Sequence, residues 1–358
     1  MLYKPDISRA KNYWKAFWEK EIIDRPVVSI TAPKNKDITP DFDGSPLRTY
    51  KTCMSRDYDS YLNDYESYAQ SMYFAGESIP HIGVDLGPDQ YAGFLGSTLE
   101  AVDGHYTTWA HKCVEDWSKF EVKIDKSVDS YYNHIKQFYE YAAKRANGNY
   151  LISQLDLHSN IDSMSALRDP SELCFDIMDC PEDVHRVLDE IDRSYDDVFT
   201  MAYNAGNMKN LGSIGWAPTY VENGKFAVIQ CDFSCLLSPT QAREFVIPSV
   251  RKEAAYLDRS VYHYDGKDAL GHLEDILAID DIDCIQWVPG AGQPRTIEWM
   301  DLLKKIQKAG KSLWIFDWTA EEIKANFKEL EPHKVAFSLG VASADEADGL
   351  LEYLVKNM

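Results

Sequence analysis

The sequence predicts a (β/α)₈ TIM barrel of the α/β class with a helical extension at its N-terminus. Two observations predict it. Eight strand-like runs follow one another along the 358 residues, nearly all separated by helical patterns. The chemically capable side chains also fall at the carboxyl ends of those runs. Val261–Gly290 shows both: two strand runs, Ser260–His263 and Asp283–Trp287, flank a helical stretch, Ala269–Ala278, and end at Gly-containing turns. A doubly wound sheet is the alternative. It calls for a Gly-rich phosphate loop after the first strand, and Thr31-Ala-Pro-Lys34 is not one.

In order along the chain, Ser8–Lys20 is an amphipathic helix carrying Trp14, Phe17 and Trp18. Residues 1–24 form the extension, and 1–358 form one barrel domain. Val27–Thr31 is the first strand, 33–50 a loop and Thr52–Phe74 a Tyr-rich helix. Ile79–Asp85 is the second strand, closed by Gly87-Pro88, and a hairpin is expected around Asp103-Gly104. Asp129–Asn147 is a helix with Asp129 as N-cap and Gly148 beyond its end. Tyr150–Leu157 is the third strand, Phe226–Cys231 the fourth, and a Pro248-interrupted helix starts at Ser238-Pro239. Ser260–His263, Asp283–Trp287, Ser312–Phe316 and Val335–Leu339 complete the eight, with helices at Ile297–Ala309, Ala320–Leu330 and Ala344–Val355.

A formal net charge of −21 opposes nucleic acid and anionic membranes as partners, and makes a highly anionic substrate hard to attract. Seven scattered cysteines imply reduced thiols and a cytoplasmic location. The N-terminus lacks the apolar segment of a signal peptide, and no run of 18 apolar residues is present. Aromatic residues make up 13%, enough for core filling and for aromatic-lined pockets alike.

In a barrel the strand ends converge on one mouth. They bring Glu77 and His81 at strand two, Asp156, His158 and Asp162 at strand three, and Gln230 and Asp232 at strand four. Strand five adds His263 and Asp265, strand six Gln286 and Trp287, and strand seven Asp317 and Trp318. Carboxylates crowded round one cavity need a cation, a proton or a polyhydroxyl ligand, and one of them acquires a raised pKa suited to a general acid. His263-x-Asp265 faces one side of its strand and is either a metal-ligand pair, with zinc the first candidate, or a hydrogen-bonded polar cap. Asp156-x-His158 has the same spacing and the same two readings. Cys231-x₃-Cys235 lacks a second close Cys pair and is read as small buried hydrophobes. Trp109, Trp216, Trp287 and Trp318 are either core or platforms for a flat ligand.

The motif order resembles the uroporphyrinogen decarboxylase superfamily, which includes methylcobamide-dependent methyltransferases. The matching pieces are Asp24-Arg-Pro-Val-Val28, Gln230-Cys-Asp-Phe-Ser-Cys-Leu-Leu-Ser-Pro239 with Glu244-Phe-Val-Ile-Pro248, Tyr262-His-Tyr-Asp-Gly266 and Phe337-Ser-Leu-Gly340. Asp156-Leu-His158 and Ile285-Gln-Trp-Val-Pro-Gly290 are similar to uncharacterised decarboxylase-like bacterial members. The resemblance implies an uroporphyrinogen decarboxylase-like barrel, a methyltransferase or lyase activity, a corrinoid on a carrier protein, and a homodimer. The departures are specific. The loop after strand one, Ser29-Ile-Thr-Ala-Pro-Lys-Asn-Lys36, has no Arg to clamp tetrapyrrole carboxylates, and Val341 stands where the decarboxylases have His. The zinc-binding His-x-Cys of the thiol methyltransferases is His263-Tyr-Asp265 here, and strand eight offers Ser338 instead of a Cys ligand.

The favoured reading is a methyl transfer from a small, poorly anionic substrate to a corrinoid carrier. His263 and Asp265 bind a metal or protonate the leaving atom. Asp156, His158 and Asp232 orient the substrate, helped by Gln230, Gln286, Trp216 and Asp317, and Trp287 forms an apolar wall. Three alternatives remain open: a lyase on another acid, using Arg168 or Lys225 as carboxylate partner; a sugar-active hydrolase; and a non-catalytic binding barrel.

Overall fold

The structure, a computed structural model, describes every residue except Asp103, so the tip of the expected hairpin lies outside the described residues. The fold is mixed α/β around a curved, mostly parallel sheet. Eight short strands run in the order predicted: β1 (Val27–Pro33), β2 (His81–Ile82), β3 (Leu151–Ile152), β4 (Phe226–Gln230), β5 (Arg259–Asp265), β6 (Cys284–Val288), β7 (Ser312–Ile315) and β8 (Val335–Gly340). One sheet holds β1-β8-β7-β6-β5-β4, all parallel, with Met72–Gly76 added antiparallel to β1. β2 and β3 form a separate parallel pair. Gln154 N donates to Ile214 O (2.7 Å), tying β3 to the hairpin Ser213–Ile214/Tyr220–Val221, and Gly215 of that hairpin lies against the Phe226 ring of β4. The arrangement is TIM-barrel-like, but among the described residues the strand ladders do not close into a ring.

Alternation along the strands separates two apolar regions. Val27, Phe226, Val228, Val261, Cys284, Trp314 and Ala336 face inward and pack with Trp14, Phe17 and Trp18 of the helix Ile7–Trp18, which stoppers the amino-terminal end of the strands. Val28, Ile30, Ile229, Tyr262, Ile285, Leu313 and Phe337 face the surrounding helices. Continuing the inward phase toward the carboxyl ends gives Gln230, His263, Asp265, Gln286, Phe316 and Ser338. The same alternation that builds the core therefore delivers the polar set to the mouth.

Several sequence expectations give way here. The stretch 52–74 is two helices, Pro46–Ser55 and Tyr58–Ser71, followed by the strand. The break falls at Arg56, whose φ of 60° ends one helix, and at Asp57, which caps the next. Strands two and three pair over only two residues each, because the backbone beyond turns to other partners, such as Tyr139 Oη donating to Ser153 O (2.7 Å). The helix expected from Asp129 is capped by Ser130 instead, with Asn147 left-handed at its end. No helix among the described residues is long and apolar enough to cross a membrane, and all seven cysteines are unpaired.

Candidate functional site

His263 and Gln286 sit opposite each other in the β5–β6 register, and His263 Nδ1 lies 2.6 Å from Gln286 Oε1. An amide oxygen only accepts, so Nδ1 carries a proton in this bond. The Trp216 ring meets His263 edge-on at 5.2 Å and leans on Trp314. Asp232 opens the 3₁₀ turn Asp232–Leu236 directly after β4. Asp232, His263 and Asp265 each present a ligand atom within 4.8 Å of the others, so the predicted metal pair acquires a third donor.

A second cluster adjoins the first through Asp232. His158 Nε2 lies 3.4 Å from Asp156, and its Nδ1 lies 3.3 Å from Asp162 and 4.0 Å from Asp232. Burial alone would lower the His158 pKa, but Asp156 and Asp162 override it and hold the ring well above its usual range as an imidazolium. Burial likewise works against the Asp156 carboxylate, yet His158, His263 and the Gln230 amide, which donates to Asp156 Oδ1, keep its pKa low. Asp162 accepts from Asp232 N and Phe233 N (both 2.9 Å), which fixes the turn that carries Asp232. Burial, then the Asp162 charge, push Asp232 up to about 6, and its Oδ1 is buried without a hydrogen-bond partner. Behind Asp156, burial and the Asp156 charge raise Asp85 to about 7.

The cluster opens into a cavity of about 520 Å³ between these residues and the hairpin that bears Trp109. That hairpin is pinned by Ala110 N donating to Asp89 Oδ2 (2.9 Å).

Of the expected site residues, Asp156, His158, Gln230, Asp232, His263, Asp265, Gln286 and Trp216 come together. Trp287 does not form a wall of the mouth. It has the opposite strand phase to Gln286 and is buried at 2% exposure against Tyr264 and Trp299 on the helix side. Asp317 is also out of phase. Its Oδ2 accepts from Thr296 N (3.0 Å) and so serves the turn Thr296–Trp299. Trp318 packs on Phe337 in the helix-facing core. Glu77 lies at the opposite end of the strands, paired with Arg25. Lys225 precedes β4 at its amino end and lies over the Tyr256 ring, and Arg168 is held by Asp176 and Glu172, so the two cations needed by the lyase reading are engaged elsewhere.

Sequence reasoning missed Asp85, Asp89 and Glu253. Glu253 sits on the inner face of the helix Ile247–Tyr256, where its Oε1 accepts from Ser159 Oγ (2.6 Å) and Asn160 Nδ2 (3.1 Å). These bonds fix Asn160, whose φ is 55°, at the start of the helix that carries Asp162. The only signal was an acid between the apolar Val250 and Ala254 on one helix face. Burial pushes Glu253 up to about 8 against the pull of those hydrogen bonds, with Asp192, Asp162, Tyr91 and Tyr195 also facing it. An acid raised by folding contributes stability that is complete below its unfolded pKa near 4.5 and is lost as pH rises through about 8. Glu253→Gln keeps the accepting oxygen and cannot ionise. It should come close to wild type in urea unfolding at pH 5 and exceed it by up to about 5 kcal/mol at pH 9. Equal stabilities at both pH values would show that the carboxyl ionises freely.

No family model matches the chain, and no curated protein matches it. Among solved structures, the chain is similar to a methyltransferase from Methanosarcina mazei, with a TM-score of 0.60 and 12% identity over 98% of this chain and 99% of that one. At that identity the likeness establishes a shared fold.

Proposed function

We propose that the chain is a metal-assisted methyltransferase acting on a small methylated substrate at the carboxyl ends of its strands, within a closed-barrel plan. A corrinoid on a carrier protein is the proposed acceptor. The observation that carries this reading is the meeting of Asp232, His263 and Asp265 beside a cavity of substrate size. One imidazole and two carboxylates make a borderline-to-hard donor set suited to zinc, manganese or cobalt, and three protein ligands leave room for substrate. The partnerless Asp232 Oδ1 is the kind of buried oxygen that a cation satisfies. Gln286 engages His263 Nδ1 and so leaves Nε2 as the nitrogen that would ligate an ion, and Asp162 fixes the turn that carries Asp232. A divalent ion held there supplies a Lewis acid next to the cavity. His158 stands at the cavity wall as an imidazolium that can give a proton to a leaving atom that needs one.

The competing readings have less support. Among the described residues, Asp156, Asp232 and Asp265 form no ion pair with Lys or Arg, unlike the fully paired acids of an inert binding barrel. A sugar hydrolase needs a gap of about 5–9.5 Å between its two carboxylates. Here His158 fills the space between Asp156 and Asp232, and Asp265 closes on Asp232 within 4.8 Å.

Calorimetric titration of chelator-treated protein with Zn²⁺, Mn²⁺ and Co²⁺ tests the metal. One ion per chain should bind with a Kd below about 10 µM. Methylation of reduced cobalamin by methylated donors tests the reaction. Absence of binding by all three ions would remove the proposal.

A further inference from the structure

We infer that the cavity beside Asp232 binds an organic cation, an alkylated ammonium, as the substrate class. This rests on the proposed reaction site, because Asp232 belongs both to the metal cluster and to the cavity wall.

The charge around the cavity is the first argument. Asp89, Asp162, Asp169 and Asp232 line it, against His111, which faces Glu100 at 2.8 Å, His158 and Lys112. Lys112 is already paired with Glu172 at 2.7 Å, and His158 is shared between Asp156 and Asp162. Three of the four acids accept backbone N–H groups: Asp89 from Ala110, Asp162 from Asp232 and Phe233, and Asp169 from Ser171 and Glu172. Such bonds hold a carboxylate in place without cancelling its charge. The fourth, Asp232, is the proposed metal ligand, so among the described residues Asp89 and Asp169, which pair with no Lys or Arg, supply the charge that faces the cavity. The space therefore carries excess negative charge inside a protein of net charge −21, and an anionic ligand would meet repulsion from both.

The second argument is aromatic. Trp109 lines the same cavity and remains 45% exposed, so its indole is not consumed by core packing. The hairpin under it is braced by the Asp89–Ala110 bond and by Thr108 Oγ1 donating to Leu86 O. An indole on a braced support in the same cavity as carboxylates suits an alkylated ammonium, whose charge is spread over apolar carbon and which is attracted to both an aromatic face and a distant acid. A strongly hydrated metal ion does not exploit that combination.

The test is calorimetric binding of choline and of its uncharged carbon isostere, 3,3-dimethylbutan-1-ol, to the full chain and to its Trp109→Leu and Trp109→Phe variants. Choline should bind at least about ten-fold more tightly than the isostere. Trp109→Leu should lose about ten-fold in choline affinity, while Trp109→Phe keeps most of it. Trp109 is partly exposed, so neither variant threatens the fold, and matched far-ultraviolet spectra check this. Isostere binding as strong as choline binding, no choline binding at millimolar concentration, or an unchanged Trp109→Leu variant would each overturn the inference. Metal titration of the same samples separates the two claims. Failed choline binding with intact metal binding removes only the cation, and intact choline binding without metal binding removes the proposed reaction site instead.

Discussion

Glu77→Ala should destabilise the protein by about 3–5 kcal/mol, the largest loss expected from any single side chain away from the site. Both Glu77 oxygens are engaged with Arg25, at 2.7 and 2.8 Å, and the pair is almost wholly buried. One of these oxygens also accepts from Val28 N at 2.9 Å. The residue links three elements: its carbonyl takes the Trp14 indole N–H of the N-terminal helix, its amide donates to Val28 O of β1, and it lies on the way into β2. Removing the carboxylate leaves a backbone N–H unpaired and a buried guanidinium without its counter-charge, with only the Pro26 carbonyl (2.9 Å) and the Tyr13 ring (4.5 Å) beside Arg25 to compensate. The double variant Arg25→Met/Glu77→Leu removes both charges and should recover most of the loss, since a buried pair costs much desolvation energy in the first place. Urea unfolding of the three variants checks this. A loss below about 1 kcal/mol for Glu77→Ala would mean that water reaches Arg25.

Glu77 also shows where the sequence was legible and where it was not. The antiparallel strand Met72–Gly76 follows the helix Tyr58–Ser71 with no turn residue between them, so the sequence pattern merges the two. That strand carries the chain away from the mouth, so an acid that seemed to belong to a strand end lies at the far side. Strand periodicity, by contrast, is legible in the sequence. His263 and Gln286 share a register and a face, which places Tyr264 and Trp287 on the other face by alternation alone. The β4 to β8 units were readable because each is a run of β-branched and apolar residues followed by a helical pattern. β2 and β3 blur because their polar continuations, through Asp85 and Asp156, take hydrogen bonds from side chains and hairpins instead of ladders. The partnership of Glu253 with Ser159 and Asn160 spans 93–94 positions and leaves no trace in local pattern.

His263→Ala should lower divalent-metal affinity at least about 100-fold while leaving the unfolding midpoint of the metal-free protein nearly unchanged. The ring is only partly buried, and its loss removes one hydrogen bond to Gln286 and one edge contact with Trp216. Gln286→Ala should cost about 10–100-fold, because the imidazole then loses the acceptor that fixes its tautomer. These variants also choose between two sites, since His158, Asp162 and Asp232 form a second group of similar compactness. Hydrogen bonding argues against that second group. Both His158 nitrogens face carboxylates, and the Asp162 oxygens already accept two backbone N–H groups. His263, by contrast, engages only Nδ1, with the neutral Gln286 amide. His158→Gln should therefore retain metal binding within about three-fold while His263→Ala loses it. The reverse pattern in a calorimetric titration would move the ion to the His158 side and leave His263 as a hydrogen-bonded polar cap.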